Sequence, residues 1–227
     1  INRQPQSRDQ VSTVAANQTD VTVKFNTADI EHTLVPGVEF AHEVDSNRAR
    51  TVAAAPTADL FNPDHDAAYN GTITSAPTHN EATSNSAAVY MFDTAKLSEQ
   101  WELSGGLRWD YFDVEFDSAA GGILERTDKM LSWRVGPVFK PQPNGSIYFA
   151  YGTSFNPSAE GLSLANTVTS TNSVNIAPEE SRTFEVGTKW DFLDEQLSLS
   201  VAGFRSEKTN ARTEDPANTT DIIVLEG

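Results

Sequence analysis

The chain has 227 residues, and its 32 Asp and Glu against 16 Lys and Arg leave a formal net charge of −16, which makes it a poor partner for nucleic acid or anionic headgroups. It has no cysteine, so disulfides, thiolate metal sites and cysteine nucleophiles are excluded for this chain. No run approaches the roughly 20 apolar residues of a transmembrane helix, but a β-barrel stays open, because its lipid face needs only every second residue to be apolar.

Alternation with period two dominates the chain and predicts nine or ten strands. Strands are expected near 9–16, 20–27, 33–44 and 87–96. The clearest segment then begins at Trp101. Trp101, Leu103, Gly105, Leu107, Trp109 and Tyr111 share one face, and Glu102, Ser104, Gly106, Arg108 and Asp110 share the other. The next places Leu131, Trp133, Val135, Pro137 and Phe139 against Ser132, Arg134, Gly136 and Val138, with Pro137 marking a bulge or a strand end. Ile147, Phe149, Tyr151 and Phe155 then alternate with Tyr148, Ala150, Gly152 and Ser154. Phe184, Val186, Thr188, Trp190 and Phe192 oppose Glu185, Gly187, Lys189 and Asp191, and further strands follow near 197–208 and 221–226.

The connections alternate in length. Short polar turns fall at Thr27-Ala28-Asp29, Ser98-Glu99-Gln100, Pro141–Gly145 and Asp194-Glu195-Gln196, and longer loops are expected near 45–86, 117–129, 156–181 and 209–220. Short turns on one rim and long loops on the other are the pattern of an outer-membrane barrel.

Three stretches carry a family resemblance. They are AAVYMFDTAKLSEQWELSGGLRWDYFDVEF, GPVFKPQPNGSIYFAYGTSFNP and APEESRTFEVGTKWDFLDEQLSLSVAGFRSEKTNAR. Asp93-Thr94 with Leu97 ahead of Trp101, Gly106-Leu107-Arg108 with Asp110, Pro178-Glu179 leading into Glu185–Lys189, and Lys208–Ala211 are the specific marks. Together they resemble the barrel of TonB-dependent outer-membrane siderophore receptors, and QTDVTVKFNTADIEHTLVPGVEF resembles the catecholate branch. The resemblance implies an all-β fold, a transmembrane antiparallel barrel segment of about ten strands out of 22, with residues 1–227 a partial barrel domain and the long loops external. At 227/10, or about 23 residues per strand and loop, 22 strands need roughly 500 residues. Nothing in the chain resembles an energy-coupling box, a plug domain or a closing strand, so a middle section of the barrel is expected.

The implied function is uptake of a ferric siderophore across the outer membrane of a Gram-negative cell. The implied partners are that chelate, the energy-coupling complex acting through the absent plug, and outer-membrane lipid. No enzymatic chemistry, cofactor or protein-bound metal is expected, since the iron arrives already chelated. His32, His42, His65 and His79 are dispersed, and Asp64-His65-Asp66 reads as a solvated turn. Lumen-facing candidates are Glu102, Arg108, Asp110, Arg134, Glu185 and Lys189. Arg108 and Arg134 fit pairing with Glu102, Asp110 or plug carboxylates, or attraction of an anionic chelate. Pairing is favoured because both lie near mid-strand. Trp101, Trp109, Tyr111, Trp133, Tyr151 and Trp190 are candidates for aromatic girdles at headgroup level. Two other architectures accommodate the pattern: a small self-contained outer-membrane pore or adhesin barrel, and a soluble extracellular β-sandwich binding module.

Overall fold

A computed structural model describes residues 7–53, 55–158, 160, 162, 175–215 and 218–225. The strands are β1 (Asp9–Asp20), β2 (Val23–Thr27), β3 (Ile30–Arg48), β4 (Arg50–Val52), β5 (Ile73–Ser75), β6 (Asn80–Lys96), β7 (Trp101–Asp117), β8 (Ile123–Gln142), β9 (Gly145–Asn156), β10 (Glu179–Phe192), β11 (Leu197–Thr209), β12 (Ala211–Asp215) and β13 (Asn218–Leu225). The main sheet runs β1-β3-β6-β7-β8-β9-β10-β11, with β2 paired to β3 below β1. Every pairing is antiparallel, and β4–β5 and β12–β13 form separate two-stranded sheets. Among the described residues no second layer stacks on the main sheet as a β-sandwich would require.

The strands outrun the alternation in the sequence. The expected 9–16 and 20–27 segments share one flank of β3, with β1 continuing to Asp20. β7 runs to Asp117 and β8 starts at Ile123, so the connection expected over 117–129 is only residues 118–122. The loop expected over 45–86 shrinks to residues 49–79 and includes β4 and β5. The region expected as a loop over 209–220 contains β12, with Asn210 as a one-residue bend at φ 56°. In the loop expected over 156–181, residues 159, 161 and 163–174 lie outside the described residues, as does residue 226 of the strand expected over 221–226.

Pro137 sits inside β8 opposite Leu103, and the β8–β9 pairing steps from Val135↔Tyr151 to Val138↔Tyr148. With no N–H to donate, Pro137 interrupts one ladder without ending the strand. The register shift falls later, between Phe139 and Gln142.

Turns at residues 28–29, 97–100, 143–144 and 193–196 line one rim. They are tied locally: Ser98 Oγ accepts from the backbone N–H of Gln100 and Trp101 at 3.2 and 3.1 Å, and Asp191 N–H donates to the Asn144 carbonyl at 2.8 Å. A ladder row followed sideways, Trp101–Phe139–Ile147–Thr188–Val201, starts at the first residue of β7 but lies four residues from the ends of β10 and β11 that flank their turn. The strands therefore stagger steadily past one another, as tilted barrel strands do.

The two faces of the sheet are unequal. On β6, Ala88 and Tyr90 are each 7% exposed, whereas Val89 and Met91 between and beside them are 51% and 49% exposed. The sheet curls toward the Tyr90 side, which is concave, and the Val89 side is convex. Aromatic rings lie across directly paired glycines, in the pairs Gly37↔Tyr90, Gly106↔Phe92, Gly187↔Tyr148 and Gly145↔Trp190. Each ring occupies the space that a Cβ would need, which keeps register and pleat fixed at those points.

Candidate functional site: the concave polar face

Alternation puts Glu102, Arg108, Asp110, Arg134, Glu185 and Lys189 on the polar faces of their strands, and the ladder pairings put all six positions on the side of the sheet that carries Tyr90. Arg108 is the centre of the largest network. Its Nη1 lies 2.9 Å from Glu39 on β3, its Nη2 lies 2.8 Å from Asp110, and its guanidinium stands 5.5 Å from the Tyr90 ring centroid. The Tyr90 hydroxyl accepts from Gln18 Nε2 at 2.9 Å, so four strands are joined across the wall. Glu102 is paired with Lys140 rather than with either arginine.

Arg134 behaves differently. Its guanidinium stacks 4.2 Å from the Phe92 centroid, and no described carboxylate forms an ion pair with it. It borders a recess of about 370 Å³ floored by Gly136, Ala150 and Gly152 and walled by Tyr148 and Glu185, whose side chains share a 2.6 Å hydrogen bond. Lys189, near the short-turn rim, is exposed. The six candidates therefore form one wall but not one cluster.

The convex face carries the aromatic candidates. Trp101 packs on Phe139 at 4.7 Å near the short turns, and Trp133, Tyr151 and Phe184 form a chain with centroids 4.7 and 4.6 Å apart farther up. Trp109 faces Leu131, and Tyr111 faces Lys129. Trp190 lies over Gly145 and donates from Nε1 to Thr188 Oγ1 at 2.6 Å. Trp101 and Trp109 are eight residues apart on β7, about 27 Å along the strand.

Above Tyr111 the apolar face changes sides. Asp113, Glu115 and Asp117 take the convex positions on β7, and Thr127 and Glu125 take them on β8. Glu115 and Glu125 are directly paired, a juxtaposition that needs water to screen it. The concave side becomes a dry core of Ala82, Val114, Phe116 and Leu162, with Phe112 and Leu124 packed against it. Below Tyr111 the sheet is thus apolar outside and polar inside, and above it the order is that of a water-soluble protein.

Glu39, Tyr90, Tyr148 and Lys140 complete the networks. Alternation puts Tyr148 and Lys140 on the polar faces of their own strands, but which residue each of the four meets follows only from the register between strands. In the loop of residues 49–79, Asp59 Oδ1 accepts from Phe61 and Asn62 N–H at 2.8 and 2.9 Å, which leaves the Phe61 side chain 94% exposed. His32 pairs with Asp93 at 2.7 Å and stacks on Phe25, while His42 meets Asn85 and His79 meets Glu81. Among the described residues no group of three or more His, Asp or Glu is placed to hold a metal ion.

Comparison with known proteins places this geometry. The chain is 39% identical over 150 residues to a probable TonB-dependent siderophore receptor, PiuA, of Acinetobacter baumannii, covering 63% of this chain and 20% of that protein. It is 34% identical over 235 residues to the probable TonB-dependent receptor BfrD of Bordetella pertussis, covering 90% of this chain and 31% of that one. The crystal structure of the ferric-catecholate import receptor Fiu from Escherichia coli K12 superposes with a TM-score of 0.80 at 27% identity, over 93% of this chain and 33% of that chain. This chain therefore spans between a fifth and a third of the length of these relatives. The family described as TonB dependent receptor-like, beta-barrel, matches residues 2–223, and the chain belongs to it.

Proposed function

We propose that the receptor to which these strands belong imports a ferric siderophore, of the catecholate class, across the outer membrane. A barrel of this family sits in the outer membrane of Gram-negative cells. The observation that carries the reading is the exchange of faces at Tyr111 on a chain of this family: a convex apolar band below it fits lipid, and a concave wall of paired charges fits an aqueous lumen. The names of two similar proteins, a catecholate siderophore receptor and a probable siderophore receptor, support the ligand class.

In this reading the described strands form part of a closed 22-stranded barrel around a plug, and an inner-membrane complex drives the plug to release its cargo inward. Arg108 and its partners line the lumen. Trp101 with Phe139, and Trp109 with Trp133, Tyr151 and Phe184, form the two girdles, and the long connections face outward from the cell. The barrel performs no covalent chemistry: it is a transporter wall, and the iron is cargo.

The test is uptake of ⁵⁵Fe presented as its tris(2,3-dihydroxybenzoate) complex, in cells with and without the intact gene. Energy-dependent uptake that follows the gene is expected. Equal uptake without the gene, or gene-dependent uptake only of non-catecholate chelates, would overturn the ligand class.

A further inference from the structure

Asp128 on β8 is a carboxylate buried to 3% exposure on the concave side, above the point where the faces exchange. Its Oδ1 lies 2.7 Å from Arg126 Nη2, and its Oδ2 accepts the backbone N–H of Ser158 at 2.6 Å. Arg126 Nε also donates to Oδ1 at 2.8 Å, and the Ser158 hydroxyl adds a fourth contact, to Oδ1 at 3.2 Å. Ser158 is itself fully buried, and Leu162 inserts among Ala82, Val114 and Phe116. The root of the β9–β10 connection is therefore pinned to the inside of the wall. Arg212 on β12 then donates to the Ser158 carbonyl, and the Arg212 backbone N–H donates to Glu179 Oε1 at 3.1 Å. A buried carboxylate that has lost its charge partners or its hydrogen bonds is costly, so this arrangement is held as a unit.

We propose that Asp128 is a positioning residue that couples the base of the β9–β10 connection to β12 and holds both over the mouth of the lumen. It sets the affinity of the receptor for its chelate without entering the transport step. Ser158 follows β9 and β12 follows β11 at the long-connection end of the wall, the end from which a cargo enters in the proposed reading, so their placement is a binding term rather than a turnover term. The proposal rests on the reading of the chain as a ferric-chelate receptor.

The experiment uses the full-length receptor with Asp128→Asn, Leu162→Ala and Gly203→Ala. Gly203 lies on β11, outside the unit and away from the polar face. The probe is the iron complex of 2,3-dihydroxybenzoate. Asp128→Asn and Leu162→Ala are expected to raise the half-saturating concentration about tenfold, with the maximal uptake rate per folded receptor unchanged, and Gly203→Ala is expected to leave affinity unchanged. Hydrogen exchange should show residues 155–158 and 211–213 losing protection together in Asp128→Asn. Leu162→Ala disrupts the same root without stranding a buried charge, so it reports even if Asp128→Asn does not fold. Wild-type affinity in whichever of the two folds, a fall in maximal rate at constant affinity, or loss of protection in only one segment would overturn the proposal. A wild-type receptor that binds no ferric chelate would instead overturn the functional reading on which it rests.

Discussion

Arg108 on β7 reaches past β6 to place its Nη1 2.9 Å from the Glu39 carboxylate on β3. The same guanidinium holds Asp110, so one cation bridges two carboxylates on a concave wall and leaves one negative charge in excess. Arg108→Ala leaves Glu39 and Asp110 facing the same space without their shared cation. Because the side chain is 31% exposed, water screens part of the loss, and a destabilisation of about 1 kcal/mol is expected. Unfolding of the full receptor in detergent would measure it, and an unchanged midpoint would show that solvent already satisfies both carboxylates.

Gly106 lies under the Phe92 ring. A Cβ added there would stand 1.9 Å from Phe92 Cδ1 and 2.7 Å from the Met91 carbonyl oxygen. Gly106→Ala must turn the ring off the glycine and disturb the backbone as well, at a cost of about 1–3 kcal/mol. Displacing Phe92 also removes the stacking surface of Arg134. The matched variant Gly203→Ala, where a Cβ meets nothing within 4 Å, should fold like wild type. Equal unfolding midpoints for the two variants would contradict the ring-over-glycine account.

The exchange of faces on β7 predicts opposite responses at two convex positions. Leu107→Arg puts a charge in the apolar band level with Trp133, between midplane and interface, and should cost about 1–3 kcal/mol of folding into lipid vesicles. Glu115→Lys lies on the same face above the exchange and relieves its pairing with Glu125, so it should fold at least as well as wild type. Equal losses at both positions would mean that the lipid boundary is not at Tyr111.

Asp59 gives a pH dependence confined to the loop of residues 49–79. Two backbone N–H groups, of Asn62 and Phe61, hold its carboxyl below the usual carboxylate value. A depressed acid contributes order that is fully present above its unfolded value, near pH 4 for Asp, and is lost as pH falls through the lower folded value. The amide signals of Phe61 and Asn62 should shift together in that acid range and stay flat between pH 5 and about 8. Asp59→Asn should remove the acid transition. A titration that persisted in this variant would assign the effect elsewhere.

The strand framework was legible in the sequence because the pleat has a period of two residues, and Trp101–Tyr111, Leu131–Phe139 and Phe184–Phe192 each repeat apolar residues at that spacing. The faces of Arg108, Arg134 and Glu185 followed from the same count. The upper strands did not follow. Tyr111 and Phe112 are adjacent and apolar, so a count that follows one face ends there, although Phe112, Val114 and Phe116 continue the alternation in opposite phase. Reading 117–129 as a loop hid Asp128 for the same reason. Pairing across strands was not visible at all: Lys140 as the partner of Glu102, and Glu39 as that of Arg108, depend on register, which one strand's sequence does not contain.

The exchange of faces at Tyr111 also makes β7 a depth gauge. Two residues inserted between Trp101 and Tyr111 would preserve inside and outside while moving the charged upper wall by about 7 Å along the strand. One inserted residue would reverse every side chain beyond it and send Val114 and Phe116 outward into water. Residue parity, more than local hydrophobicity, therefore fixes how high this wall floats in its bilayer, and unless a β-bulge absorbs the extra residue, as the register shift in β8 shows it can, two-residue steps are the smallest length changes that keep the faces.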